Sequence, residues 1–493
     1  MTIENKFNLV DEPWIPVAGK GLVSLSNIFS DPSLSALGGN PVQKIALTKL
    51  LLAIAQSAYT PKDDEDWKNL GASGLAQKAL AYLTAKKNLF WLYGEKPFLQ
   101  MPWVKDFIDK DANEKNKEPK ELGNGDFPNL PNDNNTILLQ REAINDMTDA
   151  DKALFILSLM SFALAGKQCH CNNRKPAIVG PSLGRACFLH TYLTTGSMRE
   201  TLFLNLLTME NIEDLKFLTG KLGVPVWEWE RVNIKRISNT YLEMLVPVCR
   251  YILLSGNGVY MTEGIKYPNH KNGWVELTMA VNRNGNAVKV MSADIKKKPW
   301  RELVSLLSFV GGQTQFDCPQ LRHGLNRAEK ASMRKIKIWS GGIDISGDAF
   351  GQKVSGSDDF VESEIQLNLK SLDAIWFANL KQEMSELEDV ARKLKFSVYK
   401  ANKREIKESR EKDKRADSVS KEAETLFWQL CERKFQELVN ACDDDSGKDV
   451  KKLRIVIARS VVDKTYDAYC PKGTARQLDA WAANRPDLAK YLG

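Results

Sequence analysis

The sequence has few of the features that mark secreted, membrane or metal-dependent proteins. Only 8 of its 493 residues are cysteines, and their spacing does not form an extracellular disulfide framework. The N-terminus lacks the basic and apolar regions of a signal peptide. The most apolar run, residues 50–55, is far shorter than the ~18 residues that a membrane span needs. These absences predict a reduced, soluble protein of the cytoplasm.

The common catalytic motifs are also missing. There is no GxxxxGK[ST] loop to cradle phosphate, no GxGxxG after a strand and no HExxH helix. With only 4 histidines in the chain, a histidine-built metal centre is disfavoured. Most carboxylates stand beside lysine or arginine on helical faces, a pattern typical of a solvated surface. Few groups remain from which a catalytic site could be built.

One string matches the nucleophile elbow GxSxG, with Ser182 as the serine. An elbow requires a sharp strand-to-helix turn. Pro181 fixes the backbone just before the serine, and no helical period follows Gly184. The string is therefore interpreted as a glycine-rich loop, with a serine hydrolase as the alternative.

A second cluster combines CxC with CxxH and offers the kinds of ligand that structural zinc takes. Its members are Cys169, Cys171, Cys187 and His190. The spacing is looser than in paired CxxC knuckles, and the last two residues fit a strand from Ala186 to Leu193. Ordinary buried or surface thiols are favoured and no metal is predicted. A zinc-binding hydrolase stays open as an alternative.

Composition indicates a globular protein of two or three domains. Hydrophobic residues make up 43% and charged residues 27% of the chain, which excludes a disordered or fibrous protein. The formal net charge is +7, a mild bias that permits a nucleic-acid partner without identifying one.

The first 365 residues mix strand and helix patterns. Residues 7–10 suggest a strand, residues 41–59 and 149–164 two helices, and Trp274–Met291 a hairpin that turns at Asn284 and Gly285. Two polar stretches without a clear period, Lys105–Asn135 and Lys167–Ala186, are predicted to be loops. Loops of this length are commonly functional.

After residue 365 the pattern becomes helical. Apolar residues recur at spacings of three and four, and strands and glycines become scarce. The recurring positions are Leu380, Met384, Leu387, Val390, Leu394 and Val398, then Phe427, Cys431, Phe435 and Leu438, then Leu453, Ile457 and Val461. Residues 366–493 are predicted to form a helical bundle. The mixed charges of residues 403–415 indicate a solvated helix end or connection, with a phosphate-binding patch as the alternative.

Three loops have a composition that suits nucleic acid. Gly180–Arg185 combines bare backbone with a terminal cation. Gly311–Gln315 places long amides on a glycine tip, where they could contact or separate bases. Phe127, near Asn129, is an aromatic among polar neighbours and could stack on a base. Each has an ordinary alternative: a surface turn, a plain hairpin and a local anchor, respectively.

Several motifs in order resemble the CasA family, the large subunit of the type I-E CRISPR Cascade complex. The opening Phe7–Val17 resembles the family's start, and Leu89–Gln100 is similar to its FxL…PFxQ stretch. Further similarity lies in Pro61–Asp64, in Val354–Ser363 and in the helix Ala423–Val439 with its Phe427-Trp428 pair. The resemblance spans nearly the whole chain.

The resemblance implies an α+β fold, with a large mixed α/β N-terminal domain (1–365) for PAM recognition and docking to the complex, followed by a C-terminal four-helix bundle (366–493). It implies an antiviral protein that is not an enzyme and needs no cofactor. Such a subunit recognises the PAM in double-stranded target DNA, helps to open the duplex for crRNA pairing and recruits a helicase-nuclease. Its expected partners are crRNA, target DNA, the other Cascade subunits and that nuclease. Base pairing supplies the remaining specificity.

The resemblance also assigns roles to residues. The family's glycine loop, which meets the PAM in the minor groove, corresponds to Gly180, Pro181, Ser182, Gly184 and Arg185. Its wedge, which splits the first base pair, corresponds to Gly312, Gln313, Thr314 and Gln315. Phe127 and Asn129 correspond to the loop that meets the crRNA 5′ handle. The family's lysine finger is expected at Gly256–Tyr260, where this chain has no lysine, and Lys266 is the nearest candidate.

Overall fold

The computed structural model describes residues 4–111, 118–122, 147–162, 188–215, 218, 221–229, 240–265, 276–282, 288–312, 316–345, 359–405, 410–444 and 446–493. The chain divides into two compact units. The first comprises Met1–Pro299 and Phe316–Glu364, and the second comprises Trp300–Gln315 and Ile365–Gly493. A simple division at residue 365 does not anticipate that Trp300–Gln315 belongs with the C-terminal helices.

The first unit combines helices with strands of 2 to 10 residues. Its strands are β1 (Lys6–Asn8), β2 (Ile15–Val17), β3 (Gly21–Val23), β4 (Trp91–Tyr93), β5 (Lys120–Glu121), β6 (His190–Thr194), β7 (Arg250–Ser255), β8 (Gly258–Glu263), β9 (Val281–Asn282), β10 (Lys289–Val290), β11 (Lys335–Asp344) and β12 (Asp359–Asn368), the last of which runs on into the second unit. Its helices are α1 (Leu25–Ser30), α2 (Pro41–Ala58), α3 (Asp64–Ala85), α4 (Trp103–Asp111), α5 (Asp149–Phe162), α6 (Met198–Asn205), α7 (Met209–Glu213), α8 (Tyr241–Leu245) and α10 (Pro319–Lys330).

Helix α2 forms the centre of this unit. Asn40 caps its N-terminus by accepting a hydrogen bond from the backbone N–H of Gln43, and Pro41 occupies the first turn, where it sacrifices no hydrogen bond. Nearly all of its side chains are buried, which is typical of a helix surrounded by other elements. Two three-stranded sheets lie in this unit, with strand orders β12-β11-β6 and β5-β8-β7.

The second unit is helical, as predicted. It contains α9 (Leu303–Leu306), α11 (Ala374–Glu405), α12 (Arg410–Ala441), α13 (Lys448–Ile457), α14 (Lys464–Tyr469), α15 (Ala475–Ala483) and α16 (Ala489–Leu492). A π-helical turn, Ala458–Asp463, joins α13 to α14, so that α11, α12, α13–α14 and α15 are four consecutive helical segments. All the apolar positions that predicted the bundle are buried, from Leu380 to Val461. The mixed fold followed by a helical bundle is confirmed.

One local prediction is wrong and another is only partly right. Part of the stretch expected to be a long loop is helix α4, in which Val104 and Ile108 are buried one turn apart. Within the expected hairpin Trp274–Met291, only β9 and β10 pair, with Val281 opposite Val290. Residues 277 and 278 instead form a turn, which is closed by the hydrogen bond from the backbone N–H of Met279 to the carbonyl oxygen of Glu276. Their own carbonyl groups accept hydrogen bonds from the backbone N–H groups of Gln320 and Thr191.

No helix in the described part of the chain combines the length and apolar character that crossing a membrane requires.

Candidate nucleic-acid interface

Most of the site residues predicted from sequence lie outside the described residues. This holds for Phe127, Asn129, Gly180, Pro181, Ser182, Gly184, Arg185, Lys266, Gln313, Thr314 and Gln315, and for the cysteines of the alternative zinc cluster, Cys169, Cys171 and Cys187. Gly312 and His190 are described. The structure therefore describes the residues that flank these segments on either side.

The two ends of the segment that carries the predicted glycine loop lie close together. Helix α5 ends at Phe162, directly before residues 163–187, and β6 begins at His190, just after them. The Phe162 ring lies edge-on to the His190 imidazole, with centroids 5.9 Å apart and planes at 67°. Both side chains are fully buried.

Behind His190 lies a buried polar cluster, formed by Lys49, His190, Glu276 and Thr278. The Nδ1 atom of His190 lies 2.8 Å from the Thr278 hydroxyl, which in turn donates to Glu276 Oε1 at 3.3 Å. Since that hydroxyl has one proton to donate, His190 must carry its own proton on Nδ1. Among the described residues, Nε2 of His190 has no partner.

An ion pair between Lys49 of helix α2 and Glu276 completes this cluster. The side chains are 0% and 3% exposed. Burial lowers the pKa of Lys49 and raises that of Glu276, and each charge counteracts the shift of the other. Burial, together with the Lys49 charge, also holds the pKa of His190 well below its usual 6.5, so the imidazole is neutral. Neither charge of the ion pair is stable at this site without the other.

This cluster adjoins two predicted DNA-contacting segments at once. His190 stands next to the end of residues 163–187, and Glu276 directly follows residues 266–275, which begin with Lys266. Helix α2 supplies Lys49 from a third, distant part of the sequence. Two residues that flank these segments, His190 and Glu276, therefore belong to one buried polar cluster.

The region where the lysine finger is expected is the hairpin of β7 and β8, which turns at Gly256 and Asn257. A lysine does reach this turn, but from helix α5. Lys152 Nζ donates to the carbonyl oxygen of Gly256 at 3.0 Å and lies 3.3 Å from Asn257 Oδ1. Lys152 follows Asp151 in the charged first turn of α5, so its sequence context gave no signal of this contact, and sequence reasoning missed it.

Gly311 and Gly312, in the second unit, directly precede the rest of the predicted wedge. A Cβ atom added at Gly311 would lie 2.6 Å from Cε1 of Phe377, so only a glycine allows the backbone to pack against that ring. Gly312 has a φ of +69° and open space around it, which is the left-handed conformation that glycine adopts at little cost. This is the described base of the Gln313–Gln315 tip.

Three contacts hold Trp300 and Arg301, at the start of residues 300–312, within the second unit. Arg301 lies over the Trp428 ring, with Cζ 3.6 Å from the centroid, and its Nη2 is 2.6 Å from Glu388 Oε1. Trp300 packs on Phe435 with centroids 4.5 Å apart. Residues 300–312 are therefore attached to α11 and α12 at both ends.

The zinc alternative can be examined only at His190. Its Nδ1 is engaged with Thr278, and no group of three or more potential ligands that could hold a metal ion occurs within the described ranges. The cysteines that the structure does describe are Cys249, Cys318, Cys431, Cys442 and Cys470, all free and buried. Burial raises the pKa of Cys249 and Cys318 to about 12, so these are unreactive thiols.

Known proteins provide an independent comparison. Residues 8–465 match the model of the CRISPR-associated protein Cse1 family. A curated relative, the CRISPR-associated protein CasA/Cse1 of Thermus thermophilus, is 28% identical over 338 residues, covering 62% of this chain and 61% of that protein's length. A crystal structure of CasA from Thermus thermophilus superimposes with a TM-score of 0.74 at 20% identity, covering 99% of both chains.

A further solved structure is similar over almost its whole length. It is a chain of a CRISPR RNA-guided surveillance complex, with a TM-score of 0.70 at 15% identity, covering 98% of this chain and 99% of the other. At this identity the likeness concerns the fold alone. The family match extends over nearly the whole sequence, and on that basis the chain belongs to the CRISPR-associated Cse1 (CasA) family.

Proposed function

We propose that this protein is the large subunit of a type I-E CRISPR surveillance complex. In that role it recognises the PAM in double-stranded target DNA, helps to unwind the duplex for crRNA pairing and recruits the helicase-nuclease in antiviral defence. The observation that carries the proposal is the family match over residues 8–465. A similar fold in a chain of an RNA-guided surveillance complex supports it.

In this proposal the glycine loop, Gly180–Arg185, approaches the PAM from the minor groove. That groove presents a degenerate pattern of donors and acceptors, so a backbone contact there would tolerate several PAM sequences. The buried cluster of Lys49, Glu276 and His190 supports this role, because it gives the loop a rigid base within the first unit. Lys266 or Lys152 would supply positive charge beside it.

The other predicted residues act in opening the duplex and in assembly. Gln313, Thr314 and Gln315 would separate the first base pair from a tip whose base, Gly311 and Gly312, is fixed to the helical unit. Phe127 and Asn129 would contact the crRNA 5′ handle. Sequence specificity beyond the PAM would come from base pairing. The protein would act by binding alone, without catalysis or cofactor, in the cytoplasm.

Reconstitution with crRNA and the other Cascade subunits tests the proposal. We expect tighter binding to a target duplex with a PAM than to the same duplex without one, and loss of that difference in Gly180→Leu. Gly196→Leu is a matched control, because Gly196 is exposed and has open space around its Cα. Equal binding to both duplexes by the wild-type complex contradicts PAM recognition.

A further inference from the structure

A cavity of about 550 Å³ opens in the first unit, away from the buried ion pair. Residues 95–103 and 226–229 line it, together with Lys86 and Leu89. Its volume lies within the range of about 300–1,000 Å³ that is typical of small-ligand sites. Of the described residues, neither Gly312 nor any member of the buried cluster lines it.

Three tryptophans, Trp103, Trp227 and Trp229, give the cavity its aromatic lining. Trp227 packs against the stacked pair of Phe90 and Phe98, with centroids 5.8 and 5.9 Å away. The indole N–H of Trp227 donates to the Tyr82 hydroxyl and that of Trp229 to the carbonyl oxygen of Val224. Trp227 is itself buried, so of the two it is the half-buried Trp229 that offers a ligand its ring surface rather than a hydrogen bond.

A fixed carboxylate stands among these rings. Tyr82 donates to Oε1 of Glu228, and Lys86 Nζ lies 2.8 Å from its Oε2. The Glu228 side chain is 20% exposed, so it is held in one orientation and still accessible from the cavity. Each oxygen keeps a second lone pair. Burial and Glu228 raise the pKa of Tyr82, which keeps the hydroxyl a donor.

The charges of the lining limit what can bind. Lys86 and Lys96 balance Glu95 and Glu228, so the cavity does not attract polyanions in general. A ligand rich in phosphate would meet two carboxylates. A neutral, planar ring that carries a hydrogen-bond donor fits both the tryptophans and Glu228. Lys96, exposed at the rim and without an ion-pair partner in the described part of the chain, can accept one flanking phosphate.

We propose that this cavity takes one unpaired, amino-bearing nucleobase (cytosine, adenine or guanine) of a single-stranded RNA. The base would lie against the tryptophans and donate its amino group to Glu228. Proteins commonly recognise single-stranded RNA in this way, by aromatic stacking and by hydrogen bonds to the Watson–Crick edge. RNA is favoured because α4, which begins at Trp103, precedes Phe127 and Asn129, the predicted crRNA contacts, in the sequence. The inference rests on the proposed function in this respect.

Binding of labelled oligonucleotides to the full-length chain tests the assignment. Fluorescence anisotropy with short oligocytidine, oligoadenosine and oligouridine RNA should show weaker binding of uridine by about tenfold. The single donor of uracil, N3–H, stands between two acceptor oxygens, O2 and O4, and the carboxylate would repel both. Glu228→Gln should remove or reverse this preference, since an amide can donate to O4. Glu95→Gln, on the same rim, should change binding of all three oligonucleotides equally and preserve the preference.

Trp229→Ala should weaken binding of all three RNAs by roughly tenfold, because stacking does not depend on the identity of the base. Trp481→Ala, in the second unit, is the matched control and should have no effect. Should Glu228→Gln fail to fold, Tyr82→Phe removes one donor that orients the carboxylate and should reduce the preference for amino-bearing bases.

Equal affinity of the wild-type chain for cytidine and uridine RNA would overturn this assignment, as would a preference that survives in Glu228→Gln. Normal RNA binding by the Trp229 and Glu228 variants, combined with failure to join the other subunits, would show that the cavity receives a peptide instead. Failure of the proposed function is distinguishable, because it appears as lost PAM discrimination by the wild-type complex while the base preference of the chain persists.

Discussion

The aromatic ring of Phe162 contacts the imidazole of His190 edge-on, at a centroid distance of 5.9 Å. These residues lie on either side of residues 163–187, so this contact brings together the two ends of the segment expected to read the PAM. The Lys49–Glu276 ion pair adjoins His190 and is itself buried. The residues that flank this segment are therefore held by buried side chains.

Breaking the Lys49–Glu276 ion pair should destabilise the first unit. Lys49→Met leaves the Glu276 charge buried alone, and Glu276→Gln leaves Lys49 in the same position. Each single change should cost about 3–5 kcal/mol in the free energy of unfolding. The double variant should cost less than the sum of the two, because no unpaired charge remains. Urea unfolding measures all three, and strictly additive losses would show that these charges are not coupled.

Alanine at Gly311 and at Gly312 should destabilise the second unit for different reasons. A Cβ at Gly311 overlaps the Phe377 ring, an overpacking effect of about 1–3 kcal/mol. At Gly312 the space is open, and the cost of about 1–2 kcal/mol comes from its positive φ. Phe377→Leu should therefore recover stability in the Gly311 variant only. Thermal unfolding of the variants tests this, and equal recovery in both would contradict the assignment.

The wedge makes a prediction about strand opening. Replacing both Gln313 and Gln315 with glycine should leave binding to the PAM duplex largely intact and slow its unwinding, because unstacking costs a few kcal/mol that the wedge contacts offset. A base-analogue fluorophore beside the PAM follows the rate. A target with pre-melted base pairs at that position should rescue the double variant. Equal defects on melted and paired targets would assign the glutamines another role.

Acid should destabilise the first unit through His323. Burial, with Arg322 and Arg327 nearby, lowers the pKa of His323 from 6.5 to about 4. The unfolded chain then binds a proton more readily than the folded one, so the contribution of His323 is fully present above pH 6.5 and is lost as the pH falls towards 4. Between pH 7 and 5 the loss amounts to about 2 kcal/mol.

His323→Gln should remove this part of the pH dependence. Urea unfolding at pH 7 and pH 5 compares the variant with wild type, and other titrating groups cancel in the difference. Parallel pH profiles for the two proteins would place His323 in a solvated site.

The sequence predicted those elements whose local pattern and tertiary environment agree. The apolar spacing in α11 and α12 was sufficient, because each helix buries one face within the bundle. Helix α2 was found from Pro41 and its apolar residues, although it is buried on nearly all sides. The turn at residues 277 and 278 was not predicted. Its carbonyl groups accept hydrogen bonds from Gln320 and Thr191, both distant in sequence, so the local alternation of apolar and polar residues could not indicate it.

The candidate site was less accessible to sequence reasoning. The family resemblance pointed to loops, and loops carry no periodic pattern that would indicate what holds them. Two charged residues of the site lie in or beside apolar stretches: Lys49 and Glu276. In such a stretch a charged residue indicates that it has a buried partner but does not identify that partner. Pairing these charges requires the fold, because Lys49 and Glu276 come from distant segments.

The second unit is formed by two separate parts of the sequence, and this affects both the design of fragments and folding during synthesis. A fragment that starts at residue 365 would lack Trp300 and Arg301, and so would expose the rings of Trp428 and Phe435 that these residues cover. Poor solubility of such a fragment would then result from the absence of residues 300–312, and not from an inability of the bundle to fold. During synthesis, residues 300–312 leave the ribosome well before α11 and α12. They can therefore pack only after the C-terminal helices have been synthesised.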